Sequence, residues 1–97
     1  MPLTITEELY GVLFKDHFAS LTTFCLRFNI EEAAAEDLVI QQFLNLWNGR
    51  AKYSFKSVNQ IKTFLYNSTR NASINYLKKI GVEKKALSRM VGLTEGI

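Results

Sequence analysis

The sequence has little of several residue types on which whole classes of protein depend. Its 97 residues include one cysteine and one histidine, so the chain by itself forms neither a disulfide framework nor a zinc site of Cys and His ligands. It lacks an apolar run of about 18 residues, the length that a membrane-spanning helix needs. Its first residues lack the basic start and long apolar stretch of a signal peptide. We therefore expect one small cytoplasmic domain without cofactor or metal site.

Groups suited to catalysis are equally scarce. The chain contains neither a glycine-rich phosphate loop nor a nucleophile motif. Glu36 and Asp37 are adjacent, so on a helix they point about 100° apart and do not form a carboxylate pair. His17 and Cys25 lie among apolar residues, where we expect them to pack in the core. The sequence therefore predicts that the protein is not an enzyme and has no catalytic residue.

Proline is also scarce, and the spacing of the apolar residues predicts helices throughout the chain. Hydrophobic residues make up 47% of the chain and include seven Phe and four Tyr, enough apolar surface for a folded core. They recur at spacings of three and four, and the single proline is Pro2. This pattern predicts long amphipathic helices over about 6–28, between Asn29 and Gly49, and over about 58–80. The fold class we expect is an all-α helical bundle, with 1–97 as a single domain.

Polar and glycine residues mark the predicted ends of these helices. Gly49 and Gly81 follow the second and third helices, as C-terminal glycines do. Residues 50–57 are basic and aromatic without helical period, which predicts a loop. Residues 81–97 are expected to form a short helix, over about 83–90, or the start of a linker. Three pairs have capping-box spacing: Thr4 with Glu7, Asn29 with Glu32, and Ser57 with Gln60.

Charge is divided between the two halves of the chain. Residues 1–49 carry two basic and seven acidic residues, a net charge of −5. Residues 50–97 carry ten basic and two acidic residues, a net charge of +8. This asymmetry indicates one surface for a polyanion and another for a different partner. The alternative is that these charges are solvated helix faces that happen to segregate.

The third helix carries the pattern most typical of binding. Lys62, Tyr66 and Arg70 follow one another at intervals of four, so they line up on one side. Cations neutralise phosphates, and an aromatic ring stacks on an unpaired base, which suits single-stranded nucleic acid. The alternative is that Tyr66 packs half-buried and the cations only solubilise. We expect the apolar side to be Val58, Ile61, Phe64, Leu65, Ser68, Ala72 and Tyr76, and the polar side Asn59, Lys62, Thr63, Tyr66, Asn67, Arg70 and Ser73.

Two blocks of this sequence resemble a known family. Residues 35–47 read AEDLVIQQFLNLW, and residues 61–79 read IKTFLYNSTRNASINYLKK. Together they resemble the second conserved region of bacterial sigma factors, most closely the small extracytoplasmic-function group. The resemblance covers about residues 6–80. It implies a helical bundle that gives promoter specificity to RNA polymerase.

The resemblance also implies a division of labour between the helices. The family's second helix docks on the clamp helices of the polymerase beta-prime subunit, while the loop and third helix hold the melted −10 element by its non-template strand. Asn71 occupies the position whose asparagine commonly lines the pocket for a flipped base; the alternative is that it bonds its own helix backbone. The implied polymerase-binding residues are Glu36, Asp37, Ile40, Gln41 and Leu44. The implied DNA-binding residues are Lys52, Tyr53, Phe55, Lys62, Tyr66, Arg70, Asn71, Lys78 and Lys79.

The sequence departs from the family pattern at three places. Ile40 stands where the clamp-facing glutamine is usual, and Gln41 and Gln42 follow in place of an acid and a Val or Thr. Lys78 and Lys79 replace an arginine pair, which keeps the charge and loses bidentate geometry. No counterpart of the family's helix-turn-helix domain follows, so we expect an expressed fragment or a naturally short protein. An anti-sigma factor is an expected further partner. The alternative function is a degenerate sigma-like helical module that binds a regulator without DNA.

Overall fold

The computed structural model describes residues 2–81, which form three α-helices. These are α1 (Glu7–Leu26), α2 (Glu32–Gly49) and α3 (Val58–Lys79). Between residues 2 and 81 there is no strand, and 50–57 form the connection from α2 to α3. The all-α fold, the three helices and this loop are therefore confirmed. The short helix expected over 83–90 lies outside the described residues. No helix of the described part is long and apolar enough to cross a membrane.

The caps at the helix starts agree with the predictions at one of the three positions. Ser57 Oγ accepts from the N–H of Gln60 at 3.3 Å and so caps α3, as predicted. The prediction for Thr4 is wrong, because Thr6 caps α1 by accepting from Leu9 N–H at 3.1 Å. Thr4 belongs instead to a non-helical segment that crosses the loop, where Leu3 N–H donates to the carbonyl of Phe55 at 2.6 Å.

The capping prediction for Asn29 is also wrong, because this residue lies in the turn between α1 and α2. Asn29 adopts a left-handed backbone with φ of +59°, a conformation that asparagine tolerates better than most residues. It therefore reverses the chain after α1, while Glu31 occupies the N-cap of α2 without a side-chain bond. Gly81 has φ of +84° directly after α3, as expected of a C-terminal glycine. Gly49, in contrast, is the last residue of α2 itself.

The core lies where all three helices meet. Each helix contacts the other two, and burial of a large apolar side chain stabilises a fold by about 1.5–3 kcal/mol. Gln42 is also buried; its amide donates to the carbonyl of Leu38 at 3.0 Å, which satisfies the group inside the helix pair. The largest apolar contributors are Leu13, Leu21 and Phe28, then Val39, Phe43 and Leu46, and finally Ile61, Leu65 and Leu77.

The buried face of α3 differs from the predicted one. Val58 is 42% exposed, whereas Ser73 and Leu77 are buried. Ser73 Oγ donates to the carbonyl of Thr69 at 2.7 Å and lies 3.2 Å from Cys25 Sγ, so small polar groups fill the contact with α1. Hydropathy assigns such residues to the surface, which explains the error. The buried row runs at intervals of four: Ile61, Leu65, Thr69, Ser73 and Leu77.

Candidate functional site

The side of α3 opposite its buried row is polar and exposed. Each of its members lies two residues, or about 200° around the helix, from a buried residue. Asn67, Asn71 and Asn75 form the centre of this side, and we refer to them as the amide row. All three are exposed, and among residues 2–81 their side chains make no hydrogen bond. The Asn71 amide therefore faces solvent with its donors and acceptor available, instead of bonding its own helix.

The row of Lys62, Tyr66 and Arg70 lies on the flank of α3 toward α1. Lys62 is exposed, while Tyr66 and Arg70 are half-buried. The ring of Tyr66 meets the ring of Phe24 edge-on, with centroids 5.2 Å apart. Tyr66 therefore packs half-buried against α1, as the alternative interpretation of this residue expected. Lys78 continues this flank row, and Lys79 continues the amide row, so the cations of α3 occupy two adjacent rows instead of dispersing around the helix.

A surface cleft of about 350 Å³ opens between α1 and α3 beside the flank row. Tyr66 forms one wall and Phe24 the base, while Arg27 brings a cation from the acidic half of the chain. Sequence reasoning missed Arg27 as part of this surface. Its spacing from Ser20 and Thr23 was a usable signal, because the three share one face of α1, but the sequence did not reveal that this face meets α3. The cleft lining is Ala19, Ser20, Thr23, Phe24, Arg27 and Tyr66.

The loop 50–57 is fixed at several points. The carbonyl of Gly49 accepts from the N–H groups of Lys52 at 2.8 Å and Tyr53 at 3.2 Å. Arg50 folds back onto α2, with its guanidinium carbon 3.6 Å from the centre of the Trp47 ring. Lys52 and Tyr53 are exposed, as a DNA contact requires.

Phe55 is the predicted site residue whose position argues against its role. Its side chain is 8% exposed, and its ring lies 5.6 Å, centroid to centroid, from the rings of both Tyr53 and Phe64. The aromatic cluster buries the face that would stack on a base. The expectation that Phe55 contacts DNA is therefore corrected: Phe55 anchors the loop in the core.

The α2 helix presents a separate exposed face. Asp37, Ile40, Gln41 and Leu44 are spaced so that they share one side of the helix, and we call them the α2 outer face. Ile40 is 40% and Leu44 46% exposed, so both leave apolar surface open to solvent. The amide of Gln41 donates to Asn45 Oδ1 at 3.0 Å, which fixes its orientation. This face combines one acid with exposed apolar groups, which suits a protein partner better than a nucleic acid.

Two aromatic residues of α2 pack against α1. Phe43 is buried, and its backbone carbonyl accepts from the hydroxyl of Tyr10 at 2.8 Å. Trp47 is half-buried, with its ring 4.8 Å from that of Tyr10. Glu36 is half-buried beside the α2 outer face. Phe43 and Trp47 thus pack α2 against α1, while the α2 outer face stays exposed.

The exposed groups on these surfaces are mainly cations, amides and aromatic rings. In the part of the chain that the structure describes, no three His, Cys, Asp or Glu side chains group to hold a metal ion. Burial raises the pKa of the Cys25 thiol, and its hydrogen bond with Ser73 lowers it in part. A buried thiol with a raised pKa is a poor nucleophile. Cations, amides and rings on α3 and the loop are suited to bind a polyanion with bases.

Comparison with known proteins agrees with the earlier resemblance. No curated protein and no solved structure matches the chain significantly. The model of the family described as Sigma-70 region 2 matches residues 13–81, which spans most of α1, all of α2 and all of α3. Domains of this family are regulatory and act in promoter recognition by RNA polymerase. Since the match covers most of the chain, this protein belongs to the sigma-70 region 2 family.

Proposed function

We propose that this chain is the promoter-binding domain of an extracytoplasmic-function-type sigma factor. Through α2 it docks on the clamp helices of the polymerase beta-prime subunit, and through α3 and the loop it binds the melted −10 element. The observation that carries the proposal is that the α2 outer face and the polar rows of α3 are separate, chemically different surfaces of one bundle. A sigma factor needs two such surfaces because it holds polymerase and promoter at the same time.

The polymerase contact is supported by the exposed residues of α2. Ile40 and Leu44 supply apolar area that packing within the bundle leaves uncovered. Asp37 and Gln41 flank them and supply polar contacts that set the docking register. Glu36 adds negative charge at the edge of this face. Ile40 replaces the glutamine usual in the family, so docking here relies more on apolar contact.

The DNA contact is supported by the distribution of cations and amides. Lys52 on the loop and Lys62, Lys78 and Lys79 on α3 are exposed and bind phosphates, with Arg70 beside them. Phosphate contacts of this kind position a strand without reading its sequence.

Sequence discrimination comes from the polar groups between those cations. The amide of Asn71 donates and accepts at a base edge. Tyr53, which is 38% exposed, and the half-buried Tyr66 provide rings on which an unstacked base rests. Phe55 has no part in this contact because the core covers it.

Regulation by an anti-sigma factor follows from the proposed type of sigma factor. Such a partner would compete for the α2 outer face or for the polar rows of α3. We also propose a cytoplasmic location, where polymerase and promoter are found. If the chain were instead a sigma-like module that binds a regulator alone, it would bind neither the clamp nor single-stranded DNA.

Titration calorimetry with a beta-prime clamp-helix fragment tests the proposal. Asp37→Arg should weaken binding by about 1–3 kcal/mol if the carboxylate is paired at the interface. Asp16→Arg is the matched control, because Asp16 is an exposed acid on α1, outside the α2 outer face. The control should bind like the parent chain. Equal affinity of the Asp37 variant and the parent would contradict docking through this face.

A further inference from the structure

Gly49 lies unusually close to a ring of the loop. A Cβ added at Gly49 would lie 2.7 Å from Cε2, 3.0 Å from Cζ and 3.1 Å from the hydroxyl oxygen of Tyr53. Real Cβ atoms do not approach neighbours so closely. Gly49 lies in an ordinary helical position at the end of α2, so backbone conformation does not require a glycine. What requires it is the space that the Tyr53 ring occupies.

The same ring joins two helices. Tyr53 packs on Gly49 at the end of α2, and its centroid lies 4.8 Å from that of Phe64 near the start of α3. The Gly49 carbonyl accepts from the N–H of Tyr53, so backbone and side chain are held at one point. Because Tyr53 is partly exposed, a larger residue at 49 would push its ring toward solvent while the bundle stays folded.

We propose that Gly49 is a positioning residue for the DNA-binding loop. Its missing side chain seats the Tyr53 ring between the end of α2 and the start of α3, and this contact sets the direction of Lys52 and Tyr53. The part of the proposal that concerns DNA rests on the proposed function. The α2 outer face ends at Leu44, about one turn before Gly49, so docking on polymerase does not depend on the contact.

Four variants of the chain test this proposal: Gly49→Ala, Gly11→Ala, Tyr53→Leu, and the double variant of Gly49→Ala with Tyr53→Leu. Gly11 is the matched control, because it is a helical glycine whose added Cβ would meet nothing within 4 Å. Amide chemical shifts of 50–57, thermal melting, anisotropy with a −10-type single strand and clamp binding are measured for each. DNA binding is compared at a temperature where every variant is folded.

Gly11→Ala should raise the melting temperature, because Ala favours a helix over Gly, and should leave DNA affinity unchanged. Gly49→Ala should shift the amides of 50–57 and weaken DNA binding about fivefold, the scale of one lost base contact, with clamp affinity unchanged. In the Tyr53→Leu background, Gly49→Ala should weaken DNA binding no further, because leucine lacks the ring atoms that the added Cβ would meet.

Two results would overturn the proposal. In the first, Gly49→Ala behaves like Gly11→Ala in loop shifts and DNA affinity. In the second, Gly49→Ala weakens DNA binding equally with and without Tyr53. If the parent chain binds no DNA, the proposed function fails by that observation alone. The loop shifts of the four variants then still decide whether Gly49 seats the ring.

Discussion

Replacement of Asn71 by alanine should separate base reading from folding. Asn71 lies inside α3 and is exposed, and its side chain makes no hydrogen bond with residues 2–81. Its removal therefore costs the fold nothing, and alanine gains up to about 0.7 kcal/mol in helix propensity. For a domain of this size that gain raises the melting temperature by about 2–5 °C.

The same variant should lose discrimination at one nucleotide. A base edge left without its amide partner costs roughly 1–3 kcal/mol, which is about 5–150-fold in affinity. The loss should be confined to strands that carry the preferred base at that position. The dependence of affinity on salt should stay the same, because a neutral amide releases no counterion.

Fluorescence anisotropy on a set of −10-type single strands, each with one base changed, measures the discrimination at several salt concentrations. Lys62→Ala is the contrasting variant: it should weaken binding to every strand and flatten the salt slope by about 0.7. Asn75→Ala is the matched amide, one turn further along the same row. If Asn71→Ala melts at a lower temperature and keeps its base preference, the amide belongs to the fold and not to the binding site.

Three further predictions concern the fold. Thr69→Val should raise the free energy of unfolding, measured by urea denaturation, by about 1 kcal/mol. Thr69 Oγ1 is buried without a partner, and such a group costs about 1–3 kcal/mol. A free energy of unfolding below that of the parent chain would mean that the hydroxyl is bonded. Thr6→Ala should lower the melting temperature, because loss of the N-cap hydrogen bond destabilises the fold by about 1 kcal/mol, while Thr4→Ala should leave the melting temperature unchanged. Burial raises the pKa of Cys25 from its ordinary value of 9.0, so the unfolded chain loses that proton first as pH rises. The protonated thiol therefore makes its full contribution to stability below pH 9, and this contribution declines as pH rises further. Unfolding curves at increasing pH should show a smaller decline in the free energy of unfolding for Cys25→Ala than for the parent chain.

The fold was predictable from sequence because its helices are long and strongly patterned. Spacings of three and four located all three helices to within about two residues. The helix starts were less predictable, since Thr4 and Thr6 both precede the first helix and the extended segment beside Phe55 decides between them. Asn29 suits both a cap and a left-handed turn, and the approach of α1 to α2 selects the turn.

The rotation of α3 was not predictable from hydropathy. Thr69 and Ser73 are polar, yet they fill the core where α3 meets Cys25. Because these two residues are buried, the exposed side of α3 is rotated by about one position from the predicted side. Lys62, Tyr66 and Arg70 therefore lie on its flank and not at its centre. Phe55 was misjudged for the opposite reason, because a loop residue is expected outside and here completes an aromatic cluster.

The exposure of the α2 outer face follows from the spacing of its residues. Asp37, Ile40, Gln41 and Leu44 are spaced at three and four, so they share one side of α2. That side is exposed because the buried residues of α2, such as Val39 and Phe43, lie on another side. Arg27 was missed because its place in the cleft depends on which face of α1 lies against α3. Contacts between helices are not encoded in the pattern of one helix.

Mapping both ligands on the same isotope-labelled chain shows whether α2 and α3 bind different partners. Amide shifts are recorded first with the clamp-helix fragment and then with a −10-type single strand. We expect the clamp fragment to perturb Asp37, Gln41 and Leu44 and the strand to perturb Lys62 and Asn71, without overlap. A strand that leaves α3 unperturbed, or two ligands that perturb the same face, would contradict the division of labour between α2 and α3.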